Sequence, residues 1–336
     1  MSKVPSLPVS ADDRIAVVIP SFRVTRHVLG VIESIPARVW RIYVVDDACP
    51  EGSGRLVERD SRDPRVHVLF NLENQGVGGA VIAGYLRAAA DGARVIVKID
   101  GDGQMDPGLI DDFVFPILAG EADYTKGNRF FDLDQLQSMP RMRVFGNAAL
   151  SLLAKFSTGY WDLFDPTNGY TAIHVDVLSH LPLDKISRRY FFETDILFRL
   201  NVARAVAVDV PMAARYADEV SNLKISRIVG DFLFKHARNF GKRIFYNYYL
   251  RDMSLASLEL PLGLFLFFFG AVYGTWHWIE SARLGIVTTA GTVMLAGLPV
   301  LTGLQLVLAF FGQDIGSVPR RVRHSTGPRL RARRLP

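Results

Sequence analysis

The segment Lys98-Ile99-Asp100-Gly101-Asp102-Gly103-Gln104-Met105-Asp106-Pro107 concentrates groups that can do chemistry. An apolar, β-branched run ends there and delivers two carboxylates separated by one glycine, so both can turn toward one point. With the amide oxygen of Gln104 they form a hard oxygen donor set. Such a set suits Mg²⁺ or Mn²⁺ and leaves coordination positions for phosphate. Asp-x-Asp alone is a common solvated turn; its position after an apolar run, with Gln and Asp-Pro following, gives it weight. Other polar groups end similar runs: Pro20 and Ser21, Asp46 and Asp47, and Asn71 to Gly76, which includes Asn74. Phe192-Glu193-Thr194-Asp195 adds two carboxylates in the first turn of a helical pattern. Either can serve as a general base toward a hydroxyl, or Asp195 can simply pair with Arg199 one turn on.

These groups need a frame, and the apolar periodicity supplies one. Ile15–Ile19, Ile42–Val45, Val66–Phe70 and Val95–Ile99 read as buried strands, while Arg26–Ser34, Ser53–Arg62 and Gly79–Ala90 read as helices between them. Alternation of this kind predicts an α/β fold with a mostly parallel sheet and helices on both faces. Ligands then bind beyond the carboxyl ends of the strands, where the polar groups above are found. Further on come a helix over Arg141–Phe156, a turn at Asp165–Gly169, a strand over Tyr170–Val175, a helix over Phe192–Asn201 and a strand over Val206–Val210. The glycines at 76, 78 and 79 follow the third strand, not the first, which argues against a dinucleotide-binding turn.

After about Leu250 the chain changes character. Leu260–Ile279 and Leu284–Gly312 contain no Asp, Glu, Lys or Arg, and roughly 20 apolar residues suffice to cross a bilayer. Lys235, Arg238, Lys242, Arg243 and Arg251 precede them, and an Arg-rich segment follows. By the positive-inside rule both ends, and the soluble domain with them, are cytoplasmic. Lys224–Arg251 mixes aromatic and basic residues, as helices in a membrane interface do. The net charge of +5 therefore points to anionic lipid as a partner and not to nucleic acid. The single cysteine, Cys49, excludes an internal disulfide.

Val17-Val18-Ile19-Pro20-Ser21-Phe22, Val44-Val45-Asp46-Asp47, Asn74-x-Gly76 and Asp100-Gly101-Asp102-Gly103-Gln104, in that order, resemble family-2 glycosyltransferases of the GT-A fold. Lys126–Arg129, Arg141–Ala148 and Asp165–Tyr170 resemble the dolichyl-phosphate mannosyltransferase and bacterial polyprenyl-phosphate glycosyltransferase branch. The resemblance implies a nucleotide-sugar-binding GT-A catalytic domain over 14–222, interfacial amphipathic helices over 223–254, a two-span anchor over 255–312 and a basic cytoplasmic tail over 313–336. It implies inverting transfer of a sugar from a UDP- or GDP-sugar to dolichyl or undecaprenyl phosphate, with Mg²⁺ or Mn²⁺ as cofactor. Donor binding would fall to Pro20, Ser21, Asp46, Asp47, Asn74, Gly76 and Asp100, with Gly78 and Gly79 letting backbone approach the nucleotide. The metal would fall to Asp100, Asp102 and Gln104, and the acceptor phosphate to Arg129, Arg143, Asn147 and Arg215.

The chain departs from the branch at Asn147, where Ser is frequent, at Thr167-Asn168-Gly169, where Ser-Gly-Phe is frequent, and loosely over Arg215–Lys224. Two other readings stand beside this one. One is transfer to a hydroxyl of a lipid-linked glycan, with Asp195 or Glu193 as base; the candidate catalytic residues of the transferase are Asp102, Asp195, Glu193 and Arg129. The other is a non-catalytic membrane scaffold. The spans also offer a surface for homo-oligomers.

Overall fold

The computed structural model describes residues 13–131, 141–213 and 225–324. The chain forms two compact units, Met1–Phe240 with Pro319–Pro336, and Gly241–Val318.

Seven strands among the described residues build the sheet of the first unit: β1 (Ile15–Ser21), β2 (Arg41–Asp46), β3 (Val66–Phe70), β4 (Val95–Lys98), β5 (Tyr124–Asn128), β6 (Thr171–His174) and β7 (Ala207–Pro211), in the order β3-β2-β1-β4-β6-β5-β7. All neighbours pair parallel except where β6 meets β4 and β5. Central strands β1, β2 and β4 are almost entirely buried, as their unbroken β-branched runs require of strands covered on both faces. The covering helices include α1 (Val28–Glu33), α2 (Ser53–Asp60), α3 (Val77–Ala90), α4 (Ile110–Leu118), α5 (Arg141–Thr158), the single turn α6 (Val175–Leu178) and α7 (Phe192–Val202). Val17, Ile19, Val44 and Val97 pack with Ile110, Phe113 and Ile117 in one apolar cluster. This is the mostly parallel α/β sheet that the sequence predicts. The sequence pattern did not reveal the reversal of β6. It matters for the site, because it brings the Asp165–Tyr170 turn to the edge where the other six strands end.

Helix α8 (Ile225–Phe245) runs unbroken across the division at 240. Its pattern is inverted: His236, Asn239 and Arg243 are buried while Leu233, Phe234 and Phe245 are exposed. In the second unit α9 (Leu255–Leu284) and α10 (Ala290–Gly316) form an antiparallel hairpin. Gly285, at φ +64°, ends α9 in the left-handed region, and the second apolar helix begins at Ala290. A Cβ on Gly270 would lie 2.5 Å from the Ala296 carbonyl oxygen, and one on Gly303 2.6 Å from that of Gly263. Small residues let apolar helices approach this closely. Both helices are long and apolar enough to cross a membrane, and only 22% and 11% of their most apolar windows are buried. Core helices of a soluble domain would be mostly buried. At the hairpin's open end Arg243 forms a bidentate pair with Asp314, at 2.6 and 2.9 Å, and Tyr248 donates to the same carboxylate at 2.8 Å.

The chain beyond α10 returns to the first unit. The backbone amides of Arg323 and His324 donate to Asp123 at 2.9 and 3.1 Å, and Nδ1 of His324 lies 2.8 Å from it. His324 stacks on His174 with centroids 4.1 Å apart. Residues 323 and 324 are thus held by a buried carboxylate that also accepts from the Val206 amide at 2.8 Å. Residues 325–336 lie outside the described residues.

Candidate active site

The strand ends on one edge carry the groups that the sequence singled out. At β2, Asp46 and Asp47 are both buried and shape the edge through backbone contacts. Asp46 accepts from the amides of Cys49 at 2.7 Å and Gly54 at 2.6 Å, fixing the turn into α2. Asp47 accepts from the Asn71 side chain at 2.8 Å and the amides of Gln75 and Gly76 at 2.9 and 2.7 Å. Asn74 donates to the Asp47 carbonyl. The loop after β3 is therefore strapped to β2 by one carboxylate. Gly76, at φ +82°, needs its conformational freedom. A Cβ on Gly76 or Gly78 would meet the chain at 187–192, and one on Gly79 would meet the Gln75 side chain; the Arg188 carbonyl accepts from the amides of Gly78 and Gly79. Pro20 and Ser21 end β1 alongside, and the buried Ser21 hydroxyl has no hydrogen-bond partner among the described residues.

At β4 the structure adds a residue that the motif reading missed. Lys98 is 1% exposed, with Nζ 2.9 Å from Asp100 Oδ1 and 3.2 Å from Glu193 Oε1. Burial works against the ammonium, but Asp100 and Glu193 hold its pKa above the usual range. Burial likewise pushes the Glu193 carboxyl up, with Lys98 pulling it back. A Cβ on Gly169 would run into the Lys98 ammonium and lie 2.7 Å from Asp100 Oδ2, so the 165–170 turn closes directly over the pair. The available signal was a lysine at the end of a wholly buried strand; its partner in α7 is remote in sequence. Asp102 follows, part-exposed, with Oδ1 accepting from the Gln104 amide at 3.0 Å. Among the described residues no three His, Cys, Asp or Glu side chains gather as a metal cluster. Two carboxylates and an amide at a strand exit do fit a hard cation that takes the rest of its shell from phosphate and water.

Arg129, just past β5, grips Asp165 with Nε and Nη2 at 2.7 and 2.8 Å. Burial opposes the charge on Asp165, and the guanidinium outweighs it, holding the carboxyl below its ordinary range. Buried Lys126 donates to the Phe164 and Asp165 carbonyls and lies 3.5 Å from Asp209. The 164–170 turn is thereby fastened to β5 and β7. Asn147 lies part-buried on α5. The side chain of Arg143, and all of Arg215, lie outside the described residues.

Positions two apart on a helix point about 200° apart, and Glu193 and Asp195 separate accordingly. Glu193 faces Lys98. Asp195 is fully buried on the other side of α7, accepting from the Ser187 amide at 2.8 Å and the Asn239 side chain at 2.9 Å, with Arg199 at 3.4 Å.

The model of glycosyl transferase family 2 matches residues 16–181. An undecaprenyl-phosphate mannosyltransferase of Micrococcus luteus is 32% identical over 210 residues, 59% of this chain and 82% of that protein. A polyprenol monophosphomannose synthase of Mycolicibacterium smegmatis is 29% identical over 59% of this chain and 76% of its own length. Among solved structures, glucosyl-3-phosphoglycerate synthase from Mycobacterium tuberculosis, in complex with Mn²⁺, UDP-glucose and phosphoglyceric acid, superposes with a TM-score of 0.51 at 20% identity, covering 69% of this chain and 79% of that one. At that identity the likeness concerns the fold.

Proposed function

The chain belongs to glycosyl transferase family 2, and from that premise we propose that it is a membrane-anchored transferase moving one sugar from a UDP- or GDP-sugar to polyprenyl phosphate. The observation that carries the choice of acceptor is the state of the two carboxylates on α7. Asp195 has both oxygens engaged inside the protein, and Glu193 is held by Lys98. A hydroxyl acceptor needs a positioned base. A phosphate monoester is largely a dianion at neutral pH, with its second pKa about 6, and needs none. The names of the two curated relatives support the same acceptor class.

Phosphate oxygen attacks the anomeric carbon from the side opposite the leaving group, the glycosidic C–O bond breaks, and the nucleoside diphosphate departs with the electron pair. The strand-end loops set by Asp46 and Asp47 hold the nucleotide, and the unpartnered Ser21 hydroxyl is free to bond it. Arg129, oriented by Asp165, holds acceptor phosphate with Arg143 and Arg215, since a planar guanidinium matches phosphate oxygens in pairs. Asp100, Asp102 and Gln104 would hold a divalent ion, which when bound would supply charge neutralisation at the leaving diphosphate. Helices α9 and α10 anchor the enzyme, and α8, with its apolar outer face flanked by Arg238 and Lys242, lies in the interface beside anionic lipid.

The test is a radiolabelled transfer assay in membranes, offering several UDP- and GDP-sugars with undecaprenyl or dolichyl phosphate and Mg²⁺ or Mn²⁺. The expected product is organic-extractable and lost with chelator, and it identifies the sugar. Intact nucleotide binding without such a product overturns the phosphate acceptor and favours a glycan hydroxyl.

A further inference from the structure

Lys98 and Glu193 stand beside the proposed metal ligands without belonging to them, and their arrangement has a consequence for the ion. The ammonium lies 2.9 Å from Oδ1 of Asp100, while Glu193 meets it from another element, α7. Gly169 seals the group from the third side, where any larger residue would collide with it. A buried ammonium facing Asp100 alone would cancel its charge. With Glu193 present, two carboxylates, Asp100 and Glu193, face one ammonium. The cluster stays attractive to a cation while the ammonium still fixes the orientation of Asp100.

We propose that Lys98 and Glu193 are a pair of positioning residues: Lys98 orients Asp100 for the divalent ion, and Glu193 offsets the lysine charge so that the ion still binds. The proposal rests on the metal-dependent reading above. It assigns Glu193 a part in ion binding in place of proton transfer.

The charge arithmetic separates this from a merely structural pair. Glu193→Gln leaves Asp100 alone against the ammonium, with no net charge. Removing Lys98 as well, in Lys98→Met/Glu193→Gln, leaves Asp100 with no ammonium and restores the original net charge of the group. Each charge removed within several ångströms of a divalent ion in a half-buried site changes affinity by about tenfold or more.

The full-length chain in detergent is titrated with Mn²⁺ alone, without sugar donor or lipid, and the free ion is read by electron paramagnetic resonance. Glu193→Gln is expected to weaken Mn²⁺ binding by about tenfold, and the double variant to recover to near the wild-type value. The double variant buries no unpaired charge, so it remains informative if the single variant fails to fold. Wild-type affinity in Glu193→Gln, or a double variant as weak as or weaker than the single one, overturns the pair's role and leaves the transferase reading standing. Absence of Mn²⁺ binding in the wild type overturns both the pair's role and the metal reading on which it rests.

Discussion

Asp47 and Asp102 are both acidic strand-end residues, yet their surroundings give them opposite sensitivities. Asp47 is buried and receives three hydrogen bonds from the loop after β3, so Asp47→Ala strands those donors and releases the loop. A loss of about 3 kcal/mol in urea unfolding is expected, together with a several-fold rise in donor KM that exceeds any fall in kcat. An unchanged KM would remove the loop from the donor site. Asp102 is part-exposed, and its bond from the Gln104 amide is one that an Asn side-chain oxygen can also accept. Asp102→Asn should therefore keep the fold and membrane insertion while transfer falls by about 10³-fold, the scale of losing a key electrostatic group. Near-wild-type turnover in membranes carrying this variant would sink the metal role.

At the scale of elements, the returning segment 319–324 is sensitive to pH through its contact with His174. His174 stacks on His324, and burial together with its like-charged neighbour His324 pushes the His174 pKa down to about 4; Asp176 and Asp123 pull upward and Arg94 downward. The folded pKa lies below the ordinary value of about 6.5, so the folded form binds fewer protons over that interval. The stability contributed is complete above pH 6.5 and is lost as pH falls toward 4, at most about 3 kcal/mol. Asp123 is also depressed, burial being outweighed by His324 and three amides, but its loss falls below the ordinary carboxylate range and outside this window. Amide protection of Arg323 and His324, corrected for intrinsic exchange, should fall between about pH 7 and pH 5. His174→Phe, which keeps a ring but cannot titrate, should flatten that dependence; an equally steep dependence in the variant would assign it elsewhere. Neither this contact nor the Lys98–Glu193 pair was legible in the sequence, because each joins segments far apart in the chain and tertiary pairing of single residues leaves no period. The strands were legible because burial on both faces demands unbroken β-branched runs, and the Asp100–Gln104 loop because its donors are consecutive. The reversed β6 was not: four apolar residues look alike in either direction.

For the whole molecule, the path of the chain constrains its topology independently of flanking charge. The first unit ends at Phe240 and resumes at Pro319, and its resumed part is fastened to Asp123. If α9 and α10 cross a bilayer, they must do so as a pair, with the short loop between Gly285 and Thr289 on the side opposite the catalytic domain. Arg320, Arg321 and Arg323 then share the side of Lys242 and Arg251, which the positive-inside rule makes cytoplasmic. Because Cys49 is the one native thiol, Cys49→Ser gives a clean background for labelling. In that background Val287→Cys, at an exposed loop position, should react with a membrane-impermeant maleimide in intact cells. Leu72→Cys, exposed on the catalytic domain, should react only after permeabilisation. Labelling of Leu72→Cys but not Val287→Cys in intact cells would place the catalytic domain outside, and labelling of both, or of neither until permeabilisation, would mean that the hairpin does not cross.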